Sequence, residues 1–370
     1  MYDAIVVGAR CAGSPSAMLL ARKGYKVLLV DRATFPSDSM RNHFVQHEGT
    51  LQLHRWGLLD IIYASGCPPI YNQTIDLGDF PLTEPFPTTD GVDGACAPRR
   101  FILDNILFDA AAEAGAEVRE GFSVSDIIIE NDCVVGIKGK SKGGATVTER
   151  ARIVVGADGQ HSIVARAVEA PTYNEVPALT CAYYSYWSNV PSDSLEIWFR
   201  PHPAFLLAFP TNFGLTCIAA QVPVAEFPTW RTDIEGCFLK TAALVPDLAE
   251  RIRQGKREER FLGSANLPGY FRKPYGSGWA LVGDAGYHKD PINAQGITDA
   301  FRDAELLTNA LNSGFSGTQP LDEALSQYEA LRNEACSKKY KDTQLTASFT
   351  PFPRAVFRYR ENLRANQPIT

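Results

Sequence analysis

Ala4-Ile5-Val6-Val7-Gly8-Ala9-Arg10-Cys11-Ala12-Gly13 opens the chain. Its first four residues form an apolar run of the kind that makes a strand buried on both faces. A helical pattern continues through Lys23 and is closed by Gly24. Pro15 falls in the first turn of that helix, where a missing N–H does no harm. Lys26-Val27-Leu28-Leu29-Val30 reads as a second strand and ends at Asp31. Strand, Gly-rich turn, helix, strand and acid thus follow one another within about 30 residues. Gly8 permits the tight turn, and Gly13 lets helix and strand pack closely. The N–H groups freed at the helix start, around Ala9, Arg10, Cys11 and Ala12, point at a pyrophosphate. Asp31 is placed to accept hydrogen bonds from ribose hydroxyls. The pattern asks for Gly where this chain has Arg10. That side chain must turn away from the phosphates or assist them. By itself the unit suits either an adenine dinucleotide site or a purely structural βαβ unit.

The rest of the chain sets the frame. Its 370 residues predict about two domains. With 45% hydrophobic and 21% charged residues it is an ordinary globular composition, which excludes a disordered tail, a collagen-like fibre or a coiled-coil rod. A net charge of −6 argues against nucleic acid as a partner. The eight cysteines are scattered without a Cys-x-x-Cys pair, which argues against a zinc ribbon and a disulfide scaffold and suits a reducing compartment. No stretch approaches the roughly 18 apolar residues of a membrane span. The opening Met1-Tyr2-Asp3 has no basic leader, so a cytoplasmic protein is expected.

Two further stretches share the character of the first strand. Ile153-Val154-Val155-Gly156-Ala157-Asp158-Gly159 is an apolar strand ending in Asp-Gly, with Ser162 and Arg166 on a short helix after it. Ala280-Leu281-Val282-Gly283-Asp284-Ala285 ends in Gly-Asp and leads through Pro291, Gln295 and Gly296 into a helix from Ile297 to Asn312. Arg100-Phe101-Ile102-Leu103-Asp104 opens another helix, which ends at Gly115.

On these four motifs the chain resembles the group A flavoprotein monooxygenases, the p-hydroxybenzoate hydroxylase-like family, over nearly all of residues 1–345. The resemblance implies an α/β fold: a discontinuous Rossmann-like FAD-binding domain (1–72, 97–174 and 262–345), an antiparallel β-sheet substrate domain (73–96 and 175–261) and a C-terminal helical segment (346–370). It implies FAD on Gly8 to Gly13, Asp31 and Arg32, and Arg100 near the phosphate and ribityl region with Arg99 as its neighbour. It also implies Asp158 for flavin and nicotinamide cofactor, and Gly283 and Asp284 for a ribityl hydroxyl. Gln295, Gly296 and Ile297 fall at the pyrimidine edge, where a helix start stabilises negative charge on reduced flavin. In the family the segment that carries Arg41 and His43 runs along the flavin, which implies flavin contact by one of them. The family's usual Gly-Asp-Ala-Ala-His is altered, with Tyr287 at the His position and His288 one step later. Its tail is altered too, with Ala294 for Gly and Thr298 for Asn.

Residues 175–262 change character. Cys181–Trp187, Leu195–Arg200, Ala204–Phe209 and Leu215–Gln221 are aromatic-rich runs split by Pro, Ser, Asn and Gly, and they read as an antiparallel sheet. In the family such a sheet roofs the flavin, so Tyr184, Tyr186, Trp198, Phe205 and Phe209 are expected at the substrate, joined by Asn293. Tyr71–Ala95 belongs to this sheet or to a loop over it, and 123–155 reads as a small β-meander. Helices are expected over Leu321–Lys341 and Pro353–Ala365.

The expected activity is FAD-dependent hydroxylation of an aromatic or polyketide-like small molecule through a flavin C4a-hydroperoxide, with His288, Tyr287 and Pro291 nearest the chemistry. NAD(P)H is the transient electron donor, because no second Gly-rich unit is present; a separate flavin reductase is the other source. The alternatives are a halogenase, a prenyl or ene reductase, and a non-catalytic FAD-binding protein. Halogenases of this fold carry Trp-x-Trp-x-Ile-Pro, and Tyr186-Trp187-Ser188-Asn189-Val190-Pro191 lacks both Trp positions. His43 and His47, four apart, have neither the Glu nor the Cys of a zinc site, so no metal is expected.

Overall fold

The computed structural model describes residues 1–37 and 43–365. Arg41 therefore lies outside the described residues. Tyr2–Val7 is the central strand of a mixed sheet. It pairs in parallel with Val27–Val30 on one side and Val147–Gly156 on the other. Glu117–Arg119 extends the first side, and Trp279–Leu281 lies parallel to the end of Val147–Gly156. The register brings Val7, Val30, Gly156 and Leu281 to one edge. The three acidic motifs follow these strand ends directly. Parallel strands present their carboxyl ends to ligands at such an edge.

Both faces of this sheet are buried, which is why its strands are apolar throughout rather than alternating. Ala4 and Val6 pack with the helices Gly13–Arg22, His47–Arg55, Arg100–Glu113 and Gly296–Phe315. Ile5 and Val7 pack with the opposite layer, formed by the meander Phe122–Glu130, Cys133–Ser141 and Val147–Gly156 and by the short helix Ile163–Ala167. The last strand of the meander is also a core strand of the sheet. Its first half pairs antiparallel with Cys133–Ser141 and its second half pairs parallel with Tyr2–Val7.

The second sheet runs Thr180–Ser188, Thr216–Pro223, Ala204–Pro210, Leu195–Arg200, Asn72–Asp76, Pro81–Pro85. Its pairs are antiparallel except where Leu195–Arg200 meets Asn72–Asp76. Arg200, at the end of its strand, is bonded to Asp76 at 2.7 Å across that parallel pair. Side chains alternate along each strand, and the two parities enter different cores. Tyr184, Tyr186, Leu195, Phe205, Leu207, Phe209 and Cys217 share a face with Phe44, Ile70 and Ile292. Tyr183, Trp187, Trp198, Leu206, Ile218 and Val222 face the other way.

The outer face is closed by helices within 175–262 that the sheet reading did not include. Ile234–Ala242 begins at Asp233, whose carboxylate accepts from the Gly236 N–H at 2.8 Å, and Pro246–Gln254 begins on a proline. Those are ordinary helix-start signals. The alternating aromatic runs around them dominated the sequence pattern.

Gly296–Phe315 packs against Leu321–Ala347. The latter buries Tyr328, Arg332, Cys336, Tyr340 and Thr343 as one stripe at helical spacing. Arg332, fully buried, donates to the carbonyls of Gly286 and Arg272 and so fastens this helix to the sheet edge. No helix among the described residues is long and apolar enough to cross a membrane.

Trp198 is 6% exposed in the outer core. Trp198→Ala should therefore cost about 3–5 kcal/mol in urea denaturation. The flavin spectrum of the folded protein should not change.

Candidate functional site

The turn after the first strand is built by contact. A Cβ on Gly13 would sit 1.7 Å from the Gly8 carbonyl oxygen, and one on Gly8 would sit 2.5 Å from the Ala157 oxygen. Gly8 also has φ +103°, a conformation that side chains oppose. First strand, first helix and Asp-Gly loop are thereby held in backbone contact. The Ala9 N–H donates to Asp31 at 2.7 Å, and Asp31 also accepts from Ala33 N–H at 2.8 Å. Each carboxylate oxygen keeps a second lone pair, so ribose hydroxyls remain within the chemistry of Asp31. Arg32 beside it is exposed.

Arg10 turns sideways. Its guanidinium donates to Asp104 at 2.6 Å and to Ser37 at 3.0 Å. Arg100 donates to the same carboxylate at 2.9 Å, and the Cys11 thiol lies 3.3 Å from it. Two guanidiniums thus share one fully buried carboxylate, which leaves one net positive charge beside the first helix's N-terminus. Burial works against a charged Arg100, yet Asp104 outweighs it and raises its pKa. Burial pushes the Cys11 thiol up to about 12. Arg99 goes elsewhere, lying 3.7 Å over the Tyr186 ring with an ion pair to Glu259 at 2.7 Å.

The helix start itself has no side-chain cap and no acid in its first turn. Ser14, which the motif reading passed over, is fully buried there, and its hydroxyl has no hydrogen-bond partner among the described residues. Ser162 caps the next short helix, and Asp158 accepts from the Ile163 N–H at its start at 2.6 Å, while the second Asp158 oxygen is buried without a partner among the described residues. Burial raises the Asp158 pKa. Gly283 packs on the first helix, since a Cβ there would meet Ala12 Cβ at 2.7 Å. Asp284 follows in the same turn, half-buried, with its carbonyl accepting from the Tyr270 hydroxyl at 2.6 Å. Arg272 ties the two acidic loops together by donating to the Ala285 and Gln160 carbonyls at 2.8 and 3.2 Å. Asp31, Asp158 and Asp284 therefore surround one turn. Its uncapped helix, cationic pair and orphaned polar atoms fit a dinucleotide diphosphate. The residues that would hold it are Gly8 to Ser14, Asp31, Arg100, Asp158 and Asp284.

The loop before the helix Gly296–Phe315 is rigidly placed. Asp290 accepts from Ile292 N–H at 3.0 Å, from Thr180 at 2.6 Å and from Gln221 at 2.6 Å. It thus joins the Pro291–Asn293 turn to two strands of the second sheet. Ala294, where the family has Gly, takes φ +49°. Gln295 precedes the helix, Gly296 is exposed with open space around it, and Ile297 is buried. Gln46 binds Thr298 through its N–H at 3.1 Å and the Asn293 carbonyl through its side chain at 3.2 Å, so residues 43–47 run beside this loop. Beneath it Asp299 holds Lys289 at 2.5 Å and Arg302 at 2.6 Å. Burial opposes the charged carboxylate, but Lys289 and then Arg302 outweigh it and lower its pKa.

Of the aromatic candidates, Tyr184, Tyr186, Phe205 and Phe209 share the inner face of the second sheet with Ile292 of this loop. Trp198 is a correction, because its odd step along Leu195–Arg200 sends it to the outer core, where it lies near Arg251. Tyr287 is also placed elsewhere. It packs against Phe271 at 4.6 Å and against Tyr340 and Cys336 below the loop. His288 stacks on Tyr270 at 5.7 Å and bonds the Pro268 carbonyl. Asn293 donates to Thr343 at 3.0 Å. Phe205-x-Leu207-x-Phe209-Pro210, on an inner strand, also has the Trp-x-Trp-x-Ile-Pro spacing, and like Tyr186–Pro191 it has Trp at neither position. His47 bonds the Gly94 carbonyl at 3.0 Å, and His54 is exposed.

Asp104→Asn would leave Arg10 and Arg100 facing each other without a counter-charge, and should cost about 3–5 kcal/mol in chemical denaturation. Asp299→Asn should cost a similar amount, about 3–5 kcal/mol, at neutral pH. Because the folded pKa of Asp299 is depressed, its stabilising effect is present above its ordinary value near about 3.9 and lost as pH falls through the folded one. The gap between wild type and variant should therefore narrow in acid.

Residues 1–232 match the family model described as an FAD binding domain. Digeranylgeranylglycerophospholipid reductase of Methanocella arvoryzae is 30% identical over 350 residues, covering 91% of this chain and 84% of that protein. Squalene epoxidase 4 of Arabidopsis thaliana is 24% identical over 348 residues, covering 89% and 66%. Among solved structures, the myxobacterial chondrochloren halogenase CndH aligns with a TM-score of 0.85 at 21% identity, covering 100% of this chain and 91% of that one. PqsL of Pseudomonas aeruginosa gives 0.76 at 18% identity, covering 94% of each. With its glycine turn and three convergent aspartates, the chain belongs to the FAD binding domain family, among the group A flavoprotein monooxygenases, and is an FAD-dependent oxidoreductase.

Proposed function

We propose that this protein is a monooxygenase that hydroxylates a small, apolar, unsaturated substrate, aromatic or polyketide-like, using FAD and NAD(P)H. The observation that carries the reading is the aromatic wall of Tyr184, Tyr186, Phe205 and Phe209, which packs with Ile292 of the loop leading to the open helix start at Gly296. Such a wall buries rings and excludes water. Reduced FAD supplies activated dioxygen for transfer of one oxygen atom to an electron-rich carbon. The chain's own part is to hold the substrate against that face and to stabilise negative charge at the helix start. Pro291 and Asn293 shape the loop, with His288 behind it on its strand.

A second reading is favoured by one observation, the 30% identity to a prenyl-lipid reductase over 91% of this chain. In that case the same wall takes an isoprenoid chain, and the electrons go to a carbon–carbon double bond. A halogenase is disfavoured by the missing Trp pair on the inner strand.

The purified protein should be yellow with bound FAD. It should oxidise NADH or NADPH faster with an apolar phenol or enol present, and place one atom from 18O2 in the product. Saturation of a double bond under anaerobic conditions would establish the second reading instead. A colourless protein that refuses FAD would end both.

A further inference from the structure

His43 sits at the centre of the aromatic wall. It is fully buried, stacks on Tyr186 at 5.6 Å and meets the Phe209 ring edge-on at 5.3 Å. Its Nδ1 lies 3.0 Å from the Ala97 carbonyl oxygen. A carbonyl only accepts, so Nδ1 carries the proton and donates. Burial, reinforced by Arg99, lowers the pKa to about 3, which keeps the ring neutral. Nε2 is then a bare lone pair. It is shielded from solvent and has no hydrogen-bond partner among the described residues. An unsatisfied buried acceptor calls for a physical reason.

We infer that His43 Nε2 is the acceptor for a hydroxyl group of the substrate, so that this site takes phenols, enols or allylic alcohols in preference to the corresponding ethers and hydrocarbons. The inference rests on the proposed function and deepens it. A hydrogen bond accepted from a phenol or enol O–H pushes electron density into the ring or double bond. That is the carbon an oxygen-transfer reaction needs to be electron-rich. A neutral imidazole with its Nδ1 proton committed to Ala97 offers Nε2 as an acceptor, which orients a hydroxyl. The neighbouring contacts hold the imidazole in the orientation this requires. Ala97 fixes the tautomer, and Tyr186, itself covered by Arg99 at 3.7 Å, fixes the plane.

The test uses the full-length protein as purified with FAD and labelled with 15N-histidine. His43→Phe identifies the His43 resonances by their disappearance. The expected spectrum shows Nδ1 protonated and Nε2 unprotonated. Phenol, 2-naphthol and geraniol are then titrated beside anisole, 2-methoxynaphthalene and geranyl methyl ether. At least one hydroxyl probe should move the Nε2 resonance, and its ether should not. In flavin-fluorescence titrations His43→Phe should weaken that hydroxyl probe about tenfold and leave the ether unchanged. The inference is overturned if Nε2 carries the proton, if no hydroxyl probe moves it, or if ethers move it equally. It is also overturned if adding FAD alone to apo-protein saturates the Nε2 response, which would assign the donor to the flavin imide. None of these readouts needs turnover. Failure of 18O incorporation with a hydroxyl-specific Nε2 shift would therefore reject the monooxygenase reading while leaving the hydroxyl site intact.

Discussion

The backbone contact between Gly8 and Gly13 is the constraint on which the rest of the site depends. With no side chain at either position, the first helix drops onto the end of the first strand. Its uncapped N-terminus then opens at the carboxyl edge of the sheet, where its partial positive charge favours an anion. Because the neighbouring strands are parallel and in register, Val30, Gly156 and Leu281 end at that same edge, and the acid following each is delivered to one turn. A methyl group at position 13 would overlap the Gly8 oxygen, and the displaced helix would lose Ala12 against Gly283 as well.

Charge is arranged around this turn with few loose ends. Asp104 neutralises one of two arginines, so the cluster keeps a single positive charge beside the first helix's start. The chain departs from the common glycine pattern at Arg10, and the structure shows why that is tolerated: the guanidinium is drawn across to Asp104 and Ser37. At the other end of the site, Asp290 is held by donors from Thr180, Gln221 and Ile292 N–H. It couples the position of the loop before Gly296 to that of the aromatic sheet. A shift in either would leave a buried carboxylate short of donors, which is costly.

Ala294 at φ +49° is the one strained residue of that loop. A non-glycine residue in this region costs of order 1 kcal/mol. It is kept in place by the Pro291–Asn293 turn on one side and the long helix on the other. Strain at this point fixes where the helix begins, and so where its N–H groups aim.

The local chemistry of the site was legible in the sequence wherever one short segment carries it. The glycine turn, the Asp31 end of the second strand, the Asp-Gly and Gly-Asp strand ends and the uncapped helix starts are all set by neighbours within a few residues. So was the alternating pattern of the second sheet. Which parity of that pattern packs on the loop at Ile292 was not, because alternation determines that two faces exist and leaves their assignment to whatever packs on each. The helices Ile234–Ala242 and Pro246–Gln254 claimed the face holding Trp198, and the loop at Ile292 claimed the one holding Tyr186 and Phe209. Long-range pairing decided the remainder. The partner of Arg10 is 94 residues away, and the orphaned lone pair of His43 exists only because Ala97, Tyr186 and Phe209 converge on it. Sequence by itself determined the backbone conformations and the periodicities. Tertiary packing decided which side chains share a space and which buried polar atoms go unpaired, since both depend on contacts between segments that local chain stiffness does not bring together.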